Sequence, residues 1–408
     1  MISRKWLKVI AGTVFGLMAL LLIQVAHAVE EFQISYSCID CHQDRYNEWA
    51  RSMHAIAVSD PVFEAAYIRA LKSDPEYRYY CLTCHSPTTI KTNDFNLTKS
   101  VSIEGVTCSF CHTVTGIENN SYVFNQSNPM QGPYDDSNTD AHDSAYSPLL
   151  TTSEFCAVCH EFSINGVPVY ETYTEWKESP YAAEGKQCQD CHMETKSGVA
   201  AKDGPVREKV YQHFWYGGHS GQFLEKAFQI ESRVQQIGDK IIVTLNVTNS
   251  NVGHMVPSGF PSRKVILDFK ASDGQGKIIF SDQRVYAKTL LDTYGNEVND
   301  FWKAASIARD NRIKPKESRI EVFEFEMPEG ISKLNTQATL IYQLNAEIIT
   351  RSVESMNVEI AKNEGTTLLS RAAAVEIVST PKEAPTAGWA GFIAIMVAAV
   401  LLSRKKRT

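Results

Sequence analysis

Apolar and polar positions along the chain fall into distinct regimes. Each end carries an apolar run beside basic residues. Val9 to Val25 follows Arg4, Lys5 and Lys8 and leads into Ala26-His27-Ala28, a small-residue cleavage pattern. Residues 1–28 therefore read as a secretory signal. Ala387 to Leu402 precedes the basic residues 404–407. This run is slightly short of the ~20 residues of a full membrane span. Its basic flank would face the inside and leave the body of the protein outside. Residues 379–386 read as a linker and 387–408 as a C-terminal anchor, or as a sorting tail that is cut off during attachment.

Residues 226–378 alternate apolar and polar positions in short stretches separated by turns, the period of strands half-buried on one face. Strands are predicted at Lys240–Thr248, at Lys264–Phe269 and over 277–287, 319–326, 337–346, 352–360 and 367–377. Asp273-Gly274-Gln275-Gly276 is the turn signal of a hairpin. About seven short strands suggest an all-β immunoglobulin-like sandwich. Residues 29–225 are different. Helices are predicted over Gln43–Ala57 and over Pro61–Lys72, the second opened by its proline. Residues 119–147, rich in Asn, Ser, Asp and Pro, read as a long loop. The fold class is thus a mostly α and irregular domain followed by a β-domain.

Net charge is −7 over 408 residues, which argues against a general nucleic-acid binder. Removing three positive charges with the signal and four with the tail leaves a body of about −14. Partners are then cationic or dock through local features.

Cysteine usage changes the picture most. All ten cysteines lie in five C-x-x-C pairs, each followed by histidine: Cys38/Cys41/His42, Cys81/Cys84/His85, Cys108/Cys111/His112, Cys156/Cys159/His160 and Cys188/Cys191/His192. This is the attachment signature of c-type haem. Two thiols on one helical turn reach the porphyrin vinyl groups, and the histidine from the same turn points at the iron as proximal ligand. Zinc ribbons and disulfides do not require histidine after every pair. Five covalently attached haems over residues 29–225 leave about 40 residues each, so the porphyrins themselves must form much of the core.

Outside the signal and the motifs, five histidines remain: His54, His142, His213, His219 and His254. They are the candidate distal ligands, with His219 the least secure because it lies close to His213. Full bis-histidine coordination closes the iron and favours electron transfer; one histidine that does not ligate leaves one haem open to a small substrate. His254 sits in Gly253-His254-Met255-Val256-Pro257-Ser258-Gly259 within the β-region, as a ligand delivered across a domain boundary.

An internal echo joins two segments. Tyr46-Asn47-Glu48-Trp49-Ala50-Arg51-Ser52-Met53-His54-Ala55 and Tyr173-Thr174-Glu175-Trp176-Lys177-Glu178-Ser179-Pro180-Tyr181-Ala182 share Y-x-E-W-x-x-S-x-x-A. Either two similar helices pack tryptophans on haem, or a haem unit is duplicated with Tyr181 standing where His54 stands.

The W-x-x-S-x-H element (Trp49, Ser52, His54), Glu104-Gly105-Val106-Thr107 before the third motif, Glu154-Phe155 before the fourth and the G-H-x-x-P-S-G loop at His254 resemble the multihaem cytochrome c family that includes the nitrifier tetrahaem cytochrome, with a fused C-terminal β-domain. The resemblance spans residues 33 to about 345. It implies an electron carrier with haems in stacked and perpendicular pairs, and it implies that His54 and His142 are distal ligands of haems bound by other motifs. Relatives include enzymes acting on nitrogen or sulfur oxyanions and subunits of extracellular filaments. The fifth motif departs from the tetrahaem pattern, and the absence of C-x-x-C-K departs from the pentahaem nitrite reductases. The expectation is an exported pentahaem cytochrome, on the periplasmic or cell-surface side. It relays electrons between a membrane donor and an external acceptor, and is more an electron-transfer protein than a catalyst. The competing expectations are an oxidoreductase with one open haem and a self-associating filament subunit.

Overall fold

The computed structural model describes residues 32–124, 129–331, 333–345, 347–356 and 366–376. The predicted signal, linker and C-terminal apolar run lie outside the described residues. Among the described residues, no helix is long and apolar enough to cross a membrane.

The first part is built from short helices, α1 (Ile39–Trp49), α2 (Pro61–Ser73), α3 (Tyr77–His85), α4 (Cys108–Thr113), α5 (Glu154–His160), α6 (Thr172–Lys177) and α7 (Cys188–His192). Each motif ends or opens one of them. In the first, Ile39–Trp49 runs through His42, which leaves helical geometry at φ −115°, ψ 38°. The α2 helix begins where its proline predicts, with Asp60 accepting from the Phe63 N–H at 3.0 Å. The helix expected over Gln43–Ala57 stops instead at Trp49, and turns carry the chain through His54. The cause is a staple to another segment. The Trp49 indole N–H donates to the Val106 carbonyl at 2.8 Å, and the Val106 N–H donates back to the His54 carbonyl at 2.9 Å. The second bond takes the His54 carbonyl, a group that a continuing helix would use. Gly105 makes the approach feasible: its φ is +76°, and a Cβ there would lie 2.5 Å from the His54 carbonyl oxygen. The long loop of 119–147 contains short strands at Ser121–Phe124, Met130–Gly132 and Ser144–Tyr146. Antiparallel pairs Glu161–Ile164 with Val167–Glu171, and Thr195–Val199 with Val206–Tyr211, are further departures from helix and loop.

The second part has two principal sheets. One orders Ser318–Glu326 (β5), Lys240–Asn249 (β2) and Phe228–Ile237 (β1). The other orders Ile278–Tyr286 (β4), Lys264–Asp273 (β3), Lys333–Gln343 (β6) and Thr366–Glu376 (β7). Alternation explains the core. Ile241, Val243, Leu245 and Val247 of β2 and Val265, Leu267, Phe269 and Ala271 of β3 are all buried in one shared cluster. Phe269 stacks on Phe323 of β5 at 4.4 Å, joining the sheets. The strand expected over 352–360 is corrected over its first residues, where Glu347–Glu354 is a helix, α8; residues 357–360 lie outside the described residues. Ile349 and Val353, one turn apart, are both fully buried, the period of a helix packed on one side. Its contact is α2 of the first part.

A third, small sheet (Lys288–Leu291, Glu297–Val298, Ser306–Asp310) lies at the boundary of the two parts. Leu290 and Ala304 pack with Val167 and Val169, and Trp302 packs with Ala66 and Ala70 of α2. Lys288 Nζ reaches Glu171 Oε2 at 2.5 Å and the Pro168 carbonyl at 3.0 Å.

Candidate functional site

All five motifs line one continuous cavity of about 1610 Å³, to which the β-part contributes Val256, Arg263 and Trp302. All ten cysteines are unbridged. Cysteines of different motifs stand beside one another: Cys38 beside Cys108, Cys84 beside Cys159 and Cys156 beside Cys188. The chain therefore gathers five distant segments around a shared space.

Four motif histidines face a second histidine across that space. His42 and His142 have ring centres 6.4 Å apart, with planes 26° from parallel. The corresponding values are 6.3 Å and 69° for His160 and His54, 6.3 Å and 22° for His112 and His213, and 6.3 Å and 10° for His192 and His254. The uniform separation has a chemical meaning. Two metal–imidazole bonds of about 2.0 Å each, plus the two rings, fill such a gap, whereas rings in direct face contact sit closer, as Phe63 does on His85 at 3.8 Å.

The ring nitrogens support the same fit. His42 Nδ1 lies 3.1 Å from the Ala200 carbonyl, His85 Nδ1 2.7 Å from Ala57, His112 Nδ1 2.6 Å from Gln131 and His192 Nδ1 2.5 Å from Tyr216. On the facing side, His142, His213 and His254 set Nδ1 at 3.0, 3.1 and 2.8 Å from the carbonyls of Asp143, Tyr211 and Met255. A carbonyl only accepts, so each Nδ1 carries the proton and each Nε2 keeps a free lone pair. His54 and His160, the pair with crossed rings, have no such bond among the described residues. Burial favours the neutral form at His54, His112, His160, His192, His213 and His254. It lowers His54 and His213 to about 3, and His160 and His192 to about 4. Neutral imidazole is the form that binds iron. The residues present thus fit c-type haem, with thiols for the vinyl groups and paired imidazoles for the iron.

The fifth motif histidine, His85, stands apart. It stacks on Phe63 at 17° and faces no histidine among the described residues. His219 lines the cavity but forms no ring pair with His85 or any other motif histidine. Burial lowers its pKa, as does the Arg263 charge, while Asp60 opposes them.

Comparisons with known proteins bear on the fold and on the first three motifs. Residues 37–113 match the family described as cytochrome c554 and c-prime. A penta-heme cytochrome c552 from Thermochromatium tepidum is similar over 85% of this chain and 99% of that chain, at 23% identity and a TM-score of 0.65. The chain thus shares the fold of a penta-heme cytochrome, and its residues 37–113 are similar to the cytochrome c554 and c-prime family. A glycoside hydrolase family 2 β-glucuronidase also aligns, with 8% identity and a TM-score of 0.18 over 36% of this chain and 11% of its own, which is too slight to carry an argument. No curated protein sequence matches.

The echoed segments have a local logic. Tyr46 and Trp49 lie 5.6 Å apart at 45°, and Tyr173 and Trp176 lie 5.5 Å apart at 38°. Each tryptophan N–H donates to a carbonyl at 2.8 Å, that of Val106 for Trp49 and that of Lys186 for Trp176. The positions of His54 and Tyr181 diverge. His54 faces His160, whereas the Tyr181 hydroxyl donates to the Ser250 carbonyl at 2.8 Å and steadies the segment leading to His254. The buried carboxylates of Glu48 and Glu175 were not singled out by the sequence, although both stand at the glutamate of the shared Y-x-E-W pattern.

Proposed function

We propose that the chain is an exported electron-transfer cytochrome carrying five c-type haems, four closed by two histidines and one, at His85, open on its second side. The observation that carries this reading is the set of four facing histidine pairs at one common separation, against the single motif histidine without a partner. A haem held by two imidazoles exchanges one electron without gaining or losing a ligand. The chain's own part is to bury most of these imidazoles in the neutral form, orient Nε2 through the Nδ1 bonds and keep adjoining motifs together. Cys38 stands beside Cys108, Cys84 beside Cys159 and Cys156 beside Cys188, so the first and third, the second and fourth, and the fourth and fifth attachment sites adjoin. Every site thereby has a neighbour, as short-range relay demands.

A second reading, an oxidoreductase acting on a small nitrogen or sulfur compound, is favoured by one feature, the unpartnered His85. Membrane attachment through residues 387–408, an immunoglobulin-like topology for the β-part and assembly into filaments belong to the same proposal as its finer parts. Electron paramagnetic resonance of the oxidised holoprotein tests the main reading. Four low-spin irons and one high-spin iron per chain are expected. Five low-spin irons, or more than one high-spin iron, would overturn it.

A further inference from the structure

Glu48 and Glu175 occupy the same place in the two echoed segments, and both are buried, at 4% and 7% exposure. Their bonding is divided in the same way. Glu48 Oε1 takes the Arg45 guanidinium at 2.7 Å and Lys196 Nζ at 3.3 Å, while its Oε2 accepts the backbone N–H of His213 at 2.9 Å. Glu175 Oε1 takes Arg312 Nη1 at 2.6 Å, while its Oε2 accepts the backbone N–H of Met255 at 3.2 Å and the Ser258 hydroxyl at 2.6 Å. In each case one oxygen holds a cation and the other holds main chain at, or next to, a histidine that faces a motif histidine.

We propose that Glu48 and Glu175 are matched positioning residues, each clamping the backbone that presents a distal histidine, His213 opposite His112 and His254 opposite His192. This rests on the ligand assignments of the preceding section. A carboxylate hydrogen-bonded to main-chain N–H is a charge-assisted bond, stronger than a neutral one and short in reach. The carbonyls of Tyr211 and Met255 fix the ring plane, and the carboxylate fixes the chain that carries the ring. The two clamps differ in reach. Glu48 acts within the first part of the molecule. Glu175 acts across the boundary: it lies on α6, while Met255, Ser258 and Arg312 belong to the β-part. The Thr172 and Ser258 hydroxyls, 2.7 Å apart, reinforce the same junction. Docking of the β-part and axial ligation at His192 are thereby one event.

The test uses the full-length holoprotein, with EPR and potentiometric titration as readouts. Glu175→Gln is expected to shift or remove the one low-spin signal that His254→Ala removes, and to move one redox wave. Glu48→Gln is expected to do the same to the signal that His213→Ala removes. Should Glu175→Gln fail to fold, Glu175→Asp, which keeps the charge but shortens the reach, should perturb the His254-linked signal alone. The clamp is overturned if the histidine variants change their signals while the glutamate variants, folded and fully haem-loaded, leave every signal and wave in place. If His254→Ala and His213→Ala change nothing, the ligand assignments fall, and the clamp falls with them.

Discussion

His192 and His254 face each other with ring centres 6.3 Å apart and planes 10° from parallel, although one belongs to the last C-x-x-C-H motif and the other to a loop of the β-part. The β-part is therefore a structural member of the haem cavity. Replacing His254 by alanine should convert one low-spin iron to high spin and leave the other facing pairs intact. Visible and EPR spectra of the purified variant check this. An unchanged set of low-spin signals would remove His254 from the ligand set.

His219 provides the complementary case. It lines the cavity without a ring partner, and His85 is steadied by Phe63 and the Ala57 carbonyl instead. The variant His219→Ala should leave the count of low-spin irons as it is in the parent protein. A gain of one high-spin iron would instead make His219 the sixth ligand at His85. Phe63→Ala removes an aromatic contact worth about 1 kcal/mol. Its spectral effect should be confined to the high-spin signal.

The five motifs and the β-strands were legible because each is a local pattern. Spacing alone announces C-x-x-C-H, and period-2 alternation alone announces the strands around Val243 and Leu267. The pairing of histidines was not legible, since His142 meets His42 and His213 meets His112 only through the tertiary fold. The stop at Trp49 was hidden for the same reason: Val106, far along the chain, binds the His54 carbonyl as well as the Trp49 indole N–H. Only the end of the helix Glu347–Glu354 falls in the strand expected over 352–360, because a short apolar run has no clear period until its partner, α2, is known. The echo was visible, but only its aromatic and histidine positions drew attention. The glutamate in it proved to be the residue with matched bonding.

Arg69 and Asp300 tie α2 to the β-part. Arg69 Nη2 lies 2.8 Å from both carboxylate oxygens and its Nε 3.1 Å from one of them. Asp300 is buried at 6% exposure and also meets Lys303 at 3.0 Å. Truncating Asp300 removes charge-assisted hydrogen bonds, while Arg69, at 28% side-chain exposure, stays partly solvated, at a typical loss of about 1.5 kcal/mol. Asp300→Ala should lower the midpoint of urea unfolding accordingly. A midpoint unchanged within error would mean that the apolar contacts of Trp302 carry the junction unaided.

Asp94 gives a pH dependence whose sign can be worked out. Its carboxylate accepts from the Thr98 N–H at 2.9 Å, the Thr98 hydroxyl at 2.7 Å and the Lys99 N–H at 2.8 Å. Burial opposes ionisation, but these donors outweigh it and lower the pKa to about 2. The unfolded value is about 3.9. A folded pKa below the unfolded one means that the carboxylate contributes its full stability above about pH 4 and loses it as pH falls toward 2. Those bonds order the segment that leads through Gly105 to the third motif, so the effect should reach the His112 site. Asp94→Asn, which lacks the charge, should be less stable than the parent at pH 6, and the gap should close between pH 4 and pH 2. Chemical denaturation at a series of pH values measures it. A gap that stays constant across that window would show that Asp94 acts through its shape alone.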